Sequence, residues 1–160
     1  MPARKPVALP ALDPATLPAR SGSGYPEPYR AAVAGRAKRS LGDAAGLTHY
    51  GVNLVRLPPG AASSQRHWHT HEDEFVYVLE GEVELITDAG AQTLSAGTCA
   101  GFPAGKRDGH QLVNRSKADV LYLEIGDRND ADECHYPDID LHLRPIDGEH
   151  RFTRKNGDPY

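Results

Sequence analysis

The segment Gln65-Arg-His67-Trp-His69-Thr-His71-Glu-Asp-Glu74 crowds metal-binding side chains into ten residues. In extended backbone, residues two apart share a face, so His67 and His69 point one way and Trp68 the other. A turn of four residues then separates His69 from Glu74, whose carboxylate a hairpin would return beside the imidazoles. Two neutral imidazoles and a carboxylate suit a divalent first-row ion. Such a His-x-His pair is common without any metal, so a further donor is needed. His110 supplies a candidate, opening the strand-like run Gln111-Leu-Val-Asn114 after the glycine-rich turn Pro103–Gly109. His71 reads as a turn residue or a group supporting the ligands, because it lies too near Glu74 for an open hairpin. Glu72-Asp73 reads as a solvated turn and Trp68 as a core or subunit-interface anchor. His49, His135, His142 and His150 have no partner at ligand spacing and read as ordinary histidines.

The elements that must position these donors are short strands. From Thr48 the hydropathy alternates with period two, and Thr48–Leu57 stops at Pro58-Pro59-Gly60. Further strands are expected over Arg66–His69, Glu74–Leu79, Glu82–Thr87, Ala91–Leu94, Thr98–Phe102, His110–Asn114 and Ala118–Ile125. Eight short strands with turn signals between them and little helix indicate an all-β sandwich or barrel. Residues 1–44 are rich in proline, alanine and glycine and read as an extended arm, with a short helix over 28–40. Residues 127–160 read as an irregular segment packed on the barrel, frayed over its last seven residues. Thr48–Leu57 would leave an open edge, which together with the arm favours a homodimer.

The 160 residues suit one domain with a core of its own. The net charge of −4 gives no electrostatic footprint for nucleic acid or an anionic membrane. It is distributed unevenly. Residues 1–40 carry seven Lys/Arg against two acids, net +5, whereas the remaining 120 carry 11 against 20, net −9. Cys99 and Cys134 are too few for a disulfide framework and read as free thiols of a reducing compartment. No run is apolar enough for a signal peptide or a membrane span, so a cytoplasmic protein is expected. Nothing forms a Gly-x-Ser-x-Gly elbow, a P-loop or a helix-turn-helix.

Residues 45–126 resemble a single-domain cupin. The first motif of that family appears as Gly60, His67-Trp-His69, Glu74 and Gly81, and the second as Gly97, Pro103-Ala-Gly105, His110 and Asn114. There are two departures. Six residues rather than five precede His67, and four rather than two separate Gly105 from His110; both extras fall in turns, where length changes cost little. The resemblance implies a cupin-type double-stranded β-helix, a jelly-roll barrel carrying an extended N-terminal arm. It also implies one divalent ion (Zn, Mn, Fe or Ni) held by His67, His69, Glu74 and His110. Gly81 and Gly97 then belong to hairpin turns, and Asn114 to a turn that its amide ties down.

Cupins include sugar-phosphate isomerases, dioxygenases, decarboxylases, storage proteins and sensory domains, so fold and ion do not choose among them. The leading expectation is a phosphomannose-isomerase-like reaction on a sugar phosphate. In it Lys106 and Arg107 would hold the anionic group and His71 would be the nearest candidate base. An Fe(II)-dependent dioxygenase and a non-catalytic small-molecule sensor are the alternatives. All three take a small polar ligand and neither nucleic acid nor membrane.

Overall fold

The computed structural model describes residues 6–160, which form thirteen strands and almost no helix. In chain order they are β1 (Arg20–Ser21), β2 (Ala37–Ser40), β3 (Tyr50–Leu57), β4 (Trp68–His69), β5 (Glu74–Glu80), β6 (Glu82–Thr87), β7 (Gly90–Ser95), β8 (Cys99–Phe102), β9 (Gln111–Val113), β10 (Val120–Asp127), β11 (Cys134–Tyr136), β12 (Leu141–Ile146) and β13 (Glu149–Thr153). One sheet has the order β1-β2-β3-β10-β5-β8, a second β7-β6-β9 and a third β13-β12-β11-β4. All pairings are antiparallel. The sheets do not close into one hydrogen-bonded barrel. They face each other as a jelly-roll sandwich.

Period-two alternation explains why they face. Val55, Leu57, Val76, Val78, Val120 and Tyr122 project from the six-stranded sheet onto Val83, Leu85, Leu94 and Leu112 of the three-stranded one. That cluster is the main core, and each fully buried aliphatic side chain in it contributes roughly 1.5–3 kcal/mol. A second cluster joins Tyr25 and Val33 of the N-terminal segment to Cys134, Tyr136 and Leu141 of the third sheet.

Three expectations need correction. The helix over 28–40 is a single 3-10 turn, Ala31–Val33, after which the chain becomes β2. Gly35 ends the turn, and β2 gains a full antiparallel register with β3 that an isolated short helix could not match. The expected open edge at β3 is therefore covered within the chain. Residues 127–160 are not irregular, since they build β11, β12 and β13, and the last residues are tied back rather than frayed. Arg154 N donates to the Asp158 carbonyl at 2.7 Å, and the Tyr160 hydroxyl donates to the Asp140 carbonyl.

Two motif residues have structural work. Gly81 sits at φ +77°, and a Cβ there would lie 2.7 Å from the Asp119 carbonyl oxygen, so only glycine fits. Asn114 is wholly buried. Its amide donates to the carbonyls of Leu57 and Ala118 at 2.7 and 2.8 Å, and its oxygen accepts from Ser116 N and Oγ. Asn114→Ala should cost ~1–3 kcal/mol by removing the amide's bond to the buried Leu57 carbonyl and untying the turn at Ser116 and Ala118. Thermal unfolding checks this, and a melting temperature matching the wild type would show that the turn holds itself.

Candidate metal centre

His67 and His110 are brought together by backbone first. They form an isolated antiparallel bridge, with His67 N donating to the His110 carbonyl at 3.1 Å and His110 N to that of His67 at 2.8 Å. His69 follows on the same face, and Glu74 opens β5 across the turn. The three imidazoles converge on one carboxylate oxygen. Glu74 Oε2 lies 2.7 Å from His110 Nε2 and 3.4 Å from the Nε2 of both His67 and His69. It has no accessible surface and no properly aligned hydrogen bond.

The outer nitrogens show what this arrangement needs. His67 Nδ1 lies 2.8 Å from the Gln65 carbonyl, which can only accept, so Nδ1 carries the proton. His69 Nδ1 lies 2.6 Å from Asp132 Oδ2, the carboxylate–histidine pairing that fixes the tautomer of a ligand. In their neutral forms both rings therefore aim bare Nε2 lone pairs at the Glu74 carboxylate. That cluster of electron-rich atoms requires positive charge at its centre, from protons or from a cation. Three buried imidazolium ions side by side would repel strongly, and a divalent ion meets the same need with one charge centre. The donor set thus fits a metal ion, and its site is metal-capable.

Electrostatics agree. Burial alone would raise the Glu74 carboxyl, but the imidazoles of His110, His67 and His69 hold it well below its ordinary range. Burial lowers His69, yet the Asp132 and Glu74 carboxylates outweigh it and raise His69 to about 10. His110 is lowered, by burial first and by its histidine neighbours. Asp132 also accepts from His71 N at 2.8 Å and Glu72 N at 3.2 Å, so it pins the whole ligand turn.

The donors line one wall of a cavity of about 180 Å³ whose other walls set a few charged and hydroxyl groups among apolar side chains such as Val76, Leu112 and Leu143. Lys38 from β2 and Glu124 from β10 meet there at 2.5 Å, and Asn53 donates to the same Glu124 oxygen at 3.3 Å. Arg36 donates to the Ser63 carbonyl at the rim. Tyr122 places a buried, unpartnered hydroxyl in the wall. Cys134 lines it too, with its thiol pushed up by burial and so protonated.

Sequence reasoning missed this second wall. Lys38 and Glu124 are 86 positions apart, and only the β2-β3-β10 pairing unites them. Asp132 carried no spacing signal at all. His71, by contrast, is an exposed turn residue whose ring contacts Thr70, outside the cavity. Lys106 borders a small outer cleft beside His69 and His110 and is ion-paired with Asp108 at 3.7 Å. Arg107 lies over the Trp68 ring at 5.8 Å, also outside the cavity. Both cysteines are free, Cys99 exposed and Cys134 buried.

Comparison with known proteins bears on this geometry. A sugar phosphate isomerase of the cupin superfamily from Silicibacter pomeroyi is 46% identical, covering 94% of this chain and 96% of its own, with a TM-score of 0.90. The chain belongs to the cupin superfamily. The cupin domain family matches residues 53–126. A candidate sugar phosphate isomerase of Acidithiobacillus ferrooxidans is 33% identical over 78% of this cupin and 80% of its own chain, with a TM-score of 0.71. The polyketide cyclase RemF of Streptomyces resistomycificus shares the fold alone, at 19% identity over 73% of this chain and 78% of its own, with a TM-score of 0.59. Among curated proteins none matches. Among the described residues, no helix of this cupin is long and apolar enough to cross a membrane.

A pH dependence follows for the chelator-treated protein. The folded pKa of His69, about 10, exceeds the ordinary imidazole value of ~6.5. The stability it contributes is fully present below pH ~6.5 and is lost as pH rises towards 10. The melting temperature should therefore fall over that window, and Asp132→Asn should flatten the fall. An equal slope in both proteins would remove Asp132 from this role.

Proposed function

We propose that the chain is a metal-dependent isomerase of sugar phosphates. The observation that carries this reading is the second wall of the cavity, where a Lys38–Glu124 pair and Arg36 share with the His67/His69/Glu74/His110 set a space sized for one small polar molecule. The 46% identity to a sugar phosphate isomerase across nearly the whole chain supports the same substrate class.

A divalent ion (Zn, Mn, Fe or Ni) held by His67, His69, Glu74 and His110 would polarise the carbonyl and hydroxyl oxygens of the open-chain sugar. Glu124 takes the proton from the carbon beside the carbonyl and returns it to the adjacent carbon. A hydroxyl proton passes between the two oxygens, so the reaction balances without oxidant or reductant. Lys38 holds the Glu124 carboxylate in place through their contact at 2.5 Å. Arg36 presents to the phosphate the guanidinium hydrogens not used on the Ser63 and Gly22 carbonyls. Lys106, at the outer cleft, and the exposed His71 have no part in this step.

Metal-loaded protein incubated with aldose and ketose phosphates and followed by NMR is the test. Glu124→Gln should lower kcat by ~10²–10⁴-fold while KM changes little. An undiminished kcat would move the base elsewhere. Oxygen uptake with Fe(II) would instead identify the dioxygenase, and tight ligand binding without turnover the sensor.

We also propose a homodimer built on the outer face of the six-stranded sheet. There Val52 and Leu54 of β3 lie opposite Ile125 and Leu123 of β10, which on their other side face Phe75 and Tyr77 of β5, and Leu121 and Leu79 extend the row at the register shift beyond them. The three β5 residues are each 38–39% exposed. A contiguous apolar face of this kind marks an interaction surface, and a self-complementary one suits a two-fold pair. Tyr77→Lys with Leu123→Lys should yield a folded monomer in size-exclusion light scattering. A dimer that survives both changes excludes this face.

A further inference from the structure

The third sheet alternates between the cavity and the outside. His67 and His69 face the cavity, as do Cys134 and Tyr136, so Trp68 and His135, each between two of them in sequence, face outward. The register places His135 directly opposite His142 on one side and Trp68 on the other. Glu133, two residues before His135, returns to the same outer face. The spacing of 135 and 142 gave no hint of this; strand pairing created it.

The side chains converge. The His135 and His142 rings stack with centroids 4.3 Å apart. Glu133 Oε2 is 2.8 Å from His142 Nε2 and 3.8 Å from His135 Nε2, and one ligand atom of each residue lies within 4.8 Å of the other two. The His142 side chain is only 14% exposed, and its Nε2 has no accessible surface. Its short approach to Glu133 is not aligned as a hydrogen bond, which leaves a buried polar atom unpartnered. Trp68 packs flat on the far side of His135, centroids 4.3 Å apart and planes within 12°, which fixes that ring. His135 is held in the neutral direction by burial and by His142.

We propose that Glu133, His135 and His142 form a second divalent-metal site, on the outer face of the third sheet and independent of the cavity. Two imidazoles and one carboxylate suit zinc and its neighbours, with water completing a tetrahedral set. A bound ion takes the His142 lone pair that the protein leaves unmatched. It also ties β11 to β12 behind the cavity wall that contains Cys134 and Tyr136. An open groove bordered by Trp68, Pro137 and Leu141 gives access from solvent.

The test uses the full-length protein, stripped with chelator and titrated with ZnCl2 against a chromophoric competitor. Wild type should bind two zinc ions, His135→Gln/His142→Gln one, and Glu74→Gln/His110→Gln one. Glu133→Gln, a polar change on the surface that should leave folding intact, should weaken the outer site alone, by more than the ~10–100-fold that loss of a supporting partner costs. Trp68 is the chain's one tryptophan, so its fluorescence reports this face. NiCl2 should quench it in Glu74→Gln/His110→Gln and leave it unquenched when His135→Gln/His142→Gln is added to that background. Unchanged zinc stoichiometry in His135→Gln/His142→Gln and Glu133→Gln would overturn the proposal. A failure of the cavity reading looks different: wild type would bind a single zinc, lost in His135→Gln/His142→Gln and retained in Glu74→Gln/His110→Gln.

Discussion

The structure depends on one electrostatic constraint: three imidazole nitrogens converge on a single carboxylate oxygen at 2.7 to 3.4 Å, with the outer nitrogens of His67 and His69 already committed. Such a group is unfavourable without positive charge at its centre, and it is stable only where the backbone leaves no alternative. The reciprocal His67–His110 bridge fixes the first two rings. Asp132 fixes the third through Nδ1 and holds the turn by accepting from two backbone amides. The rest of the fold serves this rigidity. The apolar cluster of Val55, Val78, Val83 and Tyr122 stiffens the two facing sheets beside the cavity, and the donors sit in or directly beside their paired strands, His69 in β4, Glu74 at the start of β5, and His67 and His110 in the bridge next to β4 and β9.

The cluster of His67, His69 and Glu74 was legible in the sequence because its information is local. His67 and His69 need only the two-residue period of a strand, and Glu74 only a turn of ordinary length. His110 became legible through a second motif, whose glycines and proline have separate conformational duties. The central strands were legible for the same reason, since they alternate and most of them end at a glycine or proline signal, such as Pro58 after β3 and Gly81 after β5.

What escaped is everything that two distant segments make together. Lys38 looked like one charge of a basic arm until β2 paired with β3 and laid it against Glu124. The strands of the third sheet are short and carry His, Arg and Pro, so their composition resembles a loop; pairing with β4 makes them strands. His135 and His142 lacked ligand spacing because their proximity is a register, not a repeat. Lys106 and Arg107, adjacent in sequence to His110, were drawn to the site by that adjacency, yet the loop carries both to the outer surface.

The Lys38–Glu124 pair also bears on why the cavity is polar at all. Both side chains are mostly withdrawn from solvent, at 27% and 21% exposure, and each loses much of its hydration. Well-packed apolar residues in such positions are often as stable as an ion pair or more so, because the mutual attraction barely offsets the desolvation. Stability therefore gives no reason to keep a lysine, a glutamate and an unpartnered tyrosine hydroxyl beside a metal-capable cluster. The proposed function gives one: a carboxylate acting on a bound sugar phosphate is held in position by the lysine it contacts across the cavity. The same reasoning separates the two ends of the molecule. Where the sheets meet over Val83, Leu85 and Leu94 the interior is apolar and closed, and where β2, β10 and the third sheet meet it encloses a cavity that carries Lys38, Glu124 and Arg36, as the proposed function requires.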